Sequence, residues 1–476
     1  MKKIFKNHDL FKILGIAILF TTLLTWLIPT GAFSETELIE GTISRIGITD
    51  FFQSFISSTQ FFLNHALFLL VLGGLYGLLT KVKAYQALVN KVTKLLKGHE
   101  VCFVLATTFI LAALASISIG IYQILLVVPF LITVILRLKM DKITAFGATF
   151  GAILIGVIGA TYSSTDGINY MNEYTGSTYA TLIWAKLIIF FLVYAGFSYF
   201  NVLHIRKTLN KAEKIEDKFA VEETTDKKTS IVSISIILGI LVLLQIIGFI
   251  GWYSTFNIEM FENFHEWLMG IQIGEHAIFN YILGQDPRIT PPIGQWSLLT
   301  LMVLMIITTI VIAIVHKIKF DEVIDSITIG MKKMLKPAVI VILLNVVFVL
   351  IHNNGQTDII RTMMNAILNI TNSFNVFLMS ISGLVTSFFY TDFGYSGWIT
   401  GFYFASRFAE QRELIPIVVN SIYGLTQFFV PTSLILMAGL AYLNLEYKNW
   451  FKYIWKFLVA TFAFLLIVFI LLQYVF

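Results

Sequence analysis

Apolar residues in this chain come in long runs rather than in strand-like alternation, and about 20 of them in a row suffice for a helix to cross about 30 Å of hydrocarbon. Residues 11–29, 59–80, 180–200, 231–252, 297–315 and 457–475 are runs of this kind. The short alternating segments of a membrane β-barrel do not occur. The pattern predicts an all-α polytopic membrane protein with about ten crossings.

Charge alternates between the runs. Lys3, Lys6 and Lys12 flank the start of the first, and an acidic loop with Glu35, Glu37, Glu40 and Asp50 follows it. The second run returns to Lys81, Lys83, Lys91, Lys94 and Lys97, in a stretch (81–98) with the spacing of an interfacial amphipathic helix. Positive charge collects on the cytoplasmic side, so the amino terminus is placed in the cytoplasm of a multi-pass protein of the cell membrane. Runs 101–115 and 121–136 are short and meet at a tip, Ser116-Ile-Ser-Ile-Gly-Ile-Tyr122. A re-entrant hairpin and a pair of full spans satisfy this charge parity equally. Residues 143–173 are too long for one span and are interrupted at Thr161-Tyr-Ser-Ser-Thr-Asp-Gly167. The most charged stretch, 204–228, reads as a solvated cytoplasmic linker, and the run at 231–252 leads out to a polar loop.

The same order then recurs. A run at 297–315 precedes a lysine-rich stretch, a run at 337–352 and an amphipathic segment at 357–369. Short runs at 374–390 and 397–409 flank Thr391-Asp-Phe-Gly-Tyr-Ser396, and a long segment, 413–443, breaks at Val430-Pro-Thr-Ser433. Matching features lie about 270 residues apart, with one half starting inside and the other outside. The reading is an inverted repeat: residues 1–202 as the first repeat, 203–229 as the cytoplasmic linker, 230–296 as a connecting helix and external loop, and 297–476 as the second repeat.

Composition narrows the function classes. With 57% hydrophobic and 13% charged residues, the chain cannot cover a soluble globule with polar surface, so the lipid bilayer is its first partner. The net charge of +5 records lysines held at the cytoplasmic face and does not point to nucleic acid. A single cysteine, Cys102, excludes a disulfide framework and a cysteine metal site within one chain. Lys2, Lys3 and Lys6 ahead of an apolar run imitate a signal peptide, but Pro29-Thr30-Gly31 lacks an A-x-A-like cleavage site, so an uncleaved first helix is expected. A membrane enzyme would need an acid/base or metal constellation, and the eight histidines are scattered without one. A channel would need a continuous pore, whereas four broken elements favour a closed site.

Inverted repeats let one solution be played inward-facing and outward-facing around a midplane site, which is alternating access. Unwound backbone at membrane depth persists only where it lines a cavity or is buried in protein. Four interruptions therefore predict one shared cavity for a small-molecule substrate, with half-helix amino termini suited to a carboxylate and freed carbonyls to a cation. The candidate residues are Ser116, Ser118, Tyr122 and Gln123 at the first tip, and Ser163, Ser164, Thr165 and Asp166 at the first break. Thr391, Asp392, Tyr395 and Ser396 stand at the second tip, and Asn420, Thr426, Gln427, Thr432 and Ser433 around the second break. A carboxylate at the bilayer centre costs about 2.5–3.5 kcal/mol, so Asp166 and Asp392 either serve function or lie in exterior loops. No cofactor or resident metal is expected; Na+ and H+ are the candidate coupling ions, with exchange as the alternative.

Several stretches resemble the anaerobic four-carbon dicarboxylate carrier family, the DcuC-like permeases, and especially its YfcC-like branch. The most specific is Val430-Pro-Thr-Ser-Leu-Ile-Leu-Met-Ala-Gly-Leu-Ala441 followed by Tyr447-Lys-Asn-Trp450. Looser matches are Leu24-Thr-Trp-Leu-Ile-Pro-Thr-Gly31, and Gly330-Met-Lys-Lys-Met-Leu335 leading to His352-Asn-Asn-Gly355. The resemblance implies the fold of the ion transporter superfamily, in which a scaffold and a transport domain with two re-entrant hairpins move as an elevator. It also implies a scaffold-mediated homodimer and cargoes that are dicarboxylates or, in some members, amino acids. The chain departs from the branch at Gly120-Ile-Tyr-Gln123, where acidic residues are usual, and at its second tip. No arginine stands at any interruption to hold a second carboxylate bidentately. An amino acid is therefore the expected cargo, with Asp392 facing its ammonium group, and a C4-dicarboxylate is the alternative.

Overall fold

The computed structural model describes residues 9–34, 37–117, 120–161, 166–178, 180–209, 217–222, 229–284, 290–352, 358–371, 373–391 and 393–475. In chain order the helices are α1 (Asp9–Leu27), α2 (Ile48–Leu79), α3 (Lys83–Leu96), α4 (Glu100–Ser116), α5 (Val128–Arg137), α6 (Lys142–Ile158), α7 (Asp166–Thr175) and α8 (Ile183–Thr208). A connecting helix, α9 (Val232–Phe249), leads to a region with three short helices, the longest Met260–Met269. There follow α10 (Leu298–Val315), α11 (Phe320–Ile351), α12 (Ile359–Leu368), α13 (Val376–Phe389), α14 (Phe393–Arg407), α15 (Ile415–Thr426), α16 (Leu434–Leu443) and α17 (Tyr447–Val475). Among the described residues the strands form only two short antiparallel ribbons, Gly31–Ser34 with Glu37–Glu40 and Gln272–Ile273 with His276–Ala277.

Seven described helices are long and apolar enough to cross a membrane: α1, α2, α8, α9, α10, α11 and α17. Counting α3 with α4, which bend 114° apart, as one element gives an eighth. This is fewer than the ten expected, because the interrupted segments fold as shorter helices. A ten-residue helix such as α5 or α16 spans only about 15 Å. The order of elements in α1–α8 recurs in α10–α17: a span, a 32-residue helix, a short amphipathic helix, two helices around a tip, two around a break, and a closing span.

The two 32-residue helices are longer than the runs at 59–80 and 337–352 foretell. In α2, Ser54 and Thr59 return their hydroxyls to carbonyls one turn back, at Phe51 and Phe55, so these polar groups are satisfied within the helix. In α11, Pro337 lies inside the helix without ending it. The stretch holding Lys332, Lys333 and Lys336 is therefore helical. α2 and α11 pack along each other through Gly73, Gly77 and Gly330, and Ser58 donates to the Ile342 carbonyl at 2.6 Å.

Part of the linker is docked rather than solvated. Phe219 is fully buried against Tyr76 and Tyr442, with the Lys333 ammonium 5.3 Å from its ring centroid. Asp217 accepts from the Thr133 hydroxyl of α5 (2.7 Å), Lys218 donates to the Lys333 carbonyl (2.8 Å), and Arg137 donates to the Val221 carbonyl. Burial raises the Asp217 carboxyl, and burial beside Lys336, Lys142 and Lys333 pushes Lys218 down to about 8.

Candidate functional site

Each interruption is held by a side chain bonded to backbone across elements. Ser116, at the end of α4, donates to the Gly159 carbonyl (2.6 Å) and shares a hydrogen bond with Thr161, whose own N–H donates to the Ser116 carbonyl (2.9 Å). The first tip is thereby stitched to the first break. In the second half, Thr432 donates to the Phe388 carbonyl, Gln427 to that of Ser387 (3.3 Å), and Tyr423 to that of Thr391 (3.2 Å). The two breaks meet where Ser421 donates to the Ile158 carbonyl (2.8 Å) and Gly424 lies against the Ile158 backbone. No side chain larger than hydrogen fits there.

Between these elements lies a cavity of about 510 Å³. Its wall takes Gly120–Gln123 from the first tip, Leu154 and Val157 from α6, Thr391 and Gly394 from the second tip, and Tyr423, Gln427, Leu434 and Ile435 from around the second break. His65 of α2 contributes one side, and Phe249, Ser254 and residues 294–298 close the remainder. The Trp296 indole covers Gly248, and the Gly248 carbonyl accepts from the N–H groups of Gly294 and Trp296, both at 3.1 Å. α16 begins beside the cavity with Ser433 as its cap, its hydroxyl accepting from the Leu436 N–H at 3.3 Å. The remaining amides of that first turn face outward along the helix axis and favour negative charge.

The cavity wall includes some of the sequence-derived residues and leaves others out. Tyr122, Gln123, Thr391 and Gln427 line it. Ser116, Thr426, Thr432 and Ser433 do not; they are buried with their hydroxyls bonded to backbone, Thr426 to the Ile422 carbonyl of its own helix. The hydroxyls of Ser116, Thr432 and Ser433 satisfy carbonyls and amides that the interruptions release, which is why polar residues are needed there. Tyr395 and Ser396 lie within the helix α14 rather than at a tip, Tyr395 tilted against Phe348 with ring centroids 4.5 Å apart. Asn420 is buried on α15 away from the lining. Ser118, Ser163, Ser164, Thr165 and Asp392 lie outside the described residues, and for Asp166 only the backbone, in the first turn of α7, is described.

Four contributing residues escape the sequence reading. His65 stands in an apolar run, and an ionisable residue within a membrane-spanning helix is itself a signal of function. Gln245 of α9 donates to the Gln123 carbonyl, so the connecting helix supports the first tip. Trp296 and Gln295 reach the cavity from a loop whose fold has no periodic signature.

Behind the second tip is a fully buried carboxylate. Asp358 caps α12 by accepting from the Arg361 N–H (2.8 Å) and accepts from the Tyr390 hydroxyl (3.0 Å). The Arg361 guanidinium and the His352 ring each lie 3.8 Å from it. Its backbone pairs with Gly31, so one residue joins the ribbon after α1 to the tip.

Among curated proteins none matches the chain in sequence. Among solved structures, that of the YdaH transporter of Alcanivorax borkumensis, described as having an unusual topology, is 12% identical over 98% of both chains with a TM-score of 0.37. At that score the likeness carries no argument. The model of the DcuC family, C4-dicarboxylate anaerobic carriers, matches residues 8–474, nearly the whole sequence. The chain belongs to this family of carriers.

Proposed function

We propose that this protein carries a C4-dicarboxylate across the cell membrane by alternating access, with the cavity between the two tips and the two breaks as its substrate site. Membership of a carrier family makes the chain a multi-pass membrane transporter and not an enzyme. The same membership favours the dicarboxylate over the amino acid expected from the lack of arginine at the interruptions. The observation that carries the proposal is the wall of the cavity: Tyr122 and Gln123 come from one half, and Thr391 and Gln427 from the other.

In this reading the recurring order of elements is an inverted repeat, with the amino terminus cytoplasmic. The two units built around tips, together with the broken helices, carry cargo past α2 and α11 as an elevator. Small polar groups and helix amino termini serve cargo carboxylates better than fixed charges would, because they bind without holding a permanent ion in hydrocarbon. A homodimer belongs to the same reading, and light scattering of the solubilised protein tests it.

The direct test is counterflow uptake in proteoliposomes with labelled succinate, aspartate, arginine and ornithine. Uptake of succinate in preference to the cationic amino acids is expected. Arginine–ornithine exchange without succinate uptake contradicts the dicarboxylate reading. Repeating the assay without sodium, and with an imposed pH gradient, identifies the coupling ion.

A further inference from the structure

A C4-dicarboxylate differs from every monocarboxylate of its length by a second negative charge, and a carrier that selects it needs a group that answers that charge. Among the described residues lining the cavity, only one can carry a charge near neutral pH. His65 is the only side chain there able to carry a positive charge near neutral pH. It sits on α2 one turn past Phe62, where the helix departs from helical geometry, and its ring meets that of Tyr122 at 4.6 Å between centroids, inclined by 74°. It therefore stands beside the first tip while belonging to a different element.

We propose that His65 is the specificity-determining residue for the second carboxylate: cargo bound against Tyr122 and Gln123 places that carboxylate on the His65 imidazole. This rests on the dicarboxylate reading and deepens it. An imidazole donates one hydrogen bond when neutral and two, with a full charge, when protonated. An imidazole can therefore offer an anion either a neutral or a charged donor, which a guanidinium cannot. A permanent guanidinium in the same place would carry its desolvation cost through the whole cycle. The absence of arginine from the interruptions is then compatible with a doubly charged cargo.

The test compares uptake of succinate with uptake of its half-amide, succinamate, which keeps the length and shape but carries one charge. Wild-type protein is compared with His65→Phe, which keeps a ring against Tyr122, and His65→Gln, which keeps a hydrogen-bond donor without charge. Both substitutions are expected to lower the succinate-to-succinamate ratio at least about tenfold, the value of one charge-assisted hydrogen bond. A ratio does not depend on how much protein inserts in active form, so a folding defect does not imitate this result. If wild-type protein prefers succinate and both variants keep that preference, His65 is a packing residue and the assignment fails alone. If wild-type protein shows no preference for succinate over succinamate, the dicarboxylate reading fails with it.

Discussion

Gly73 and Gly330 face each other where α2 crosses α11, so closely that a Cβ on Gly73 would stand 2.6 Å from the Gly330 carbonyl oxygen. The Met334 side chain can give way there, but the Gly330 backbone cannot, so an added methyl must push the helices apart. Gly73→Ala is expected to cost about 1–3 kcal/mol, as overpacking of a well-packed core does. Gly239 of α9 is the control: nothing lies within 4 Å of its added Cβ, and alanine is the better helix former. Thermal unfolding in detergent should show a melting temperature lowered by several degrees for Gly73→Ala and unchanged or raised for Gly239→Ala.

At the first tip the same kind of crowding has a different consequence. A Cβ on Gly120 would overlap the Gln123 side-chain amide, which can swing away. Gly120→Ala should therefore leave the melting temperature nearly unchanged while raising KM for succinate about tenfold, since a displaced Gln123 no longer meets cargo. Equal loss of stability and transport would mean that the tip is structural.

The buried Asp358 holds α12, Tyr390 and the ribbon strand Gly31–Ser34 together. Asp358→Asn keeps a good helix cap but removes the charge that balances Arg361, and breaking a buried pair in this way costs about 3–5 kcal/mol. Adding Arg361→Gln to it should recover part of the loss. A double variant no more stable than Asp358→Asn would show that the pair is not coupled.

Docking of the linker is expected to depend on pH through Lys218. In the undocked chain a lysine stays protonated to about pH 10.4, but docked Lys218 loses its proton near pH 8. The docked form binds fewer protons between those values, so stability rises with pH across that window. Relative to Lys218→Met, the wild-type melting temperature should be flat below about pH 8 and climb above it. A constant difference across the range would contradict the burial of this ammonium.

The interruptions were legible because polar residues inside apolar runs, such as Ser116 to Tyr122 and Val430 to Ser433, are costly unless they have work to do. Helix lengths were not. Pro337 and the serines of α2 carry the local signals of an end, and packing against a partner helix keeps those stretches helical. Side-chain roles were hidden for a related reason: Ser116 and Thr432 are polar residues at breaks, but their carbonyl partners, Gly159 and Phe388, are chosen by tertiary approach. His65 was visible as an ionisable residue in an apolar run, yet nothing in its neighbourhood along the chain assigns that run to the first tip.

The measurement that bears most directly on the substrate site uses Gln427→Cys in a Cys102→Ser background, which makes the new thiol the only one in the chain. Gln427 lines the cavity from the second break, far in sequence from the first tip on its other side. The rate of labelling by a membrane-permeant thiol reagent is followed in proteoliposomes with and without succinate, and with arginine as the comparison. Protection by succinate, but not by arginine, is the predicted result; labelling that proceeds at the same rate under saturating succinate would contradict the placement of cargo between the two halves.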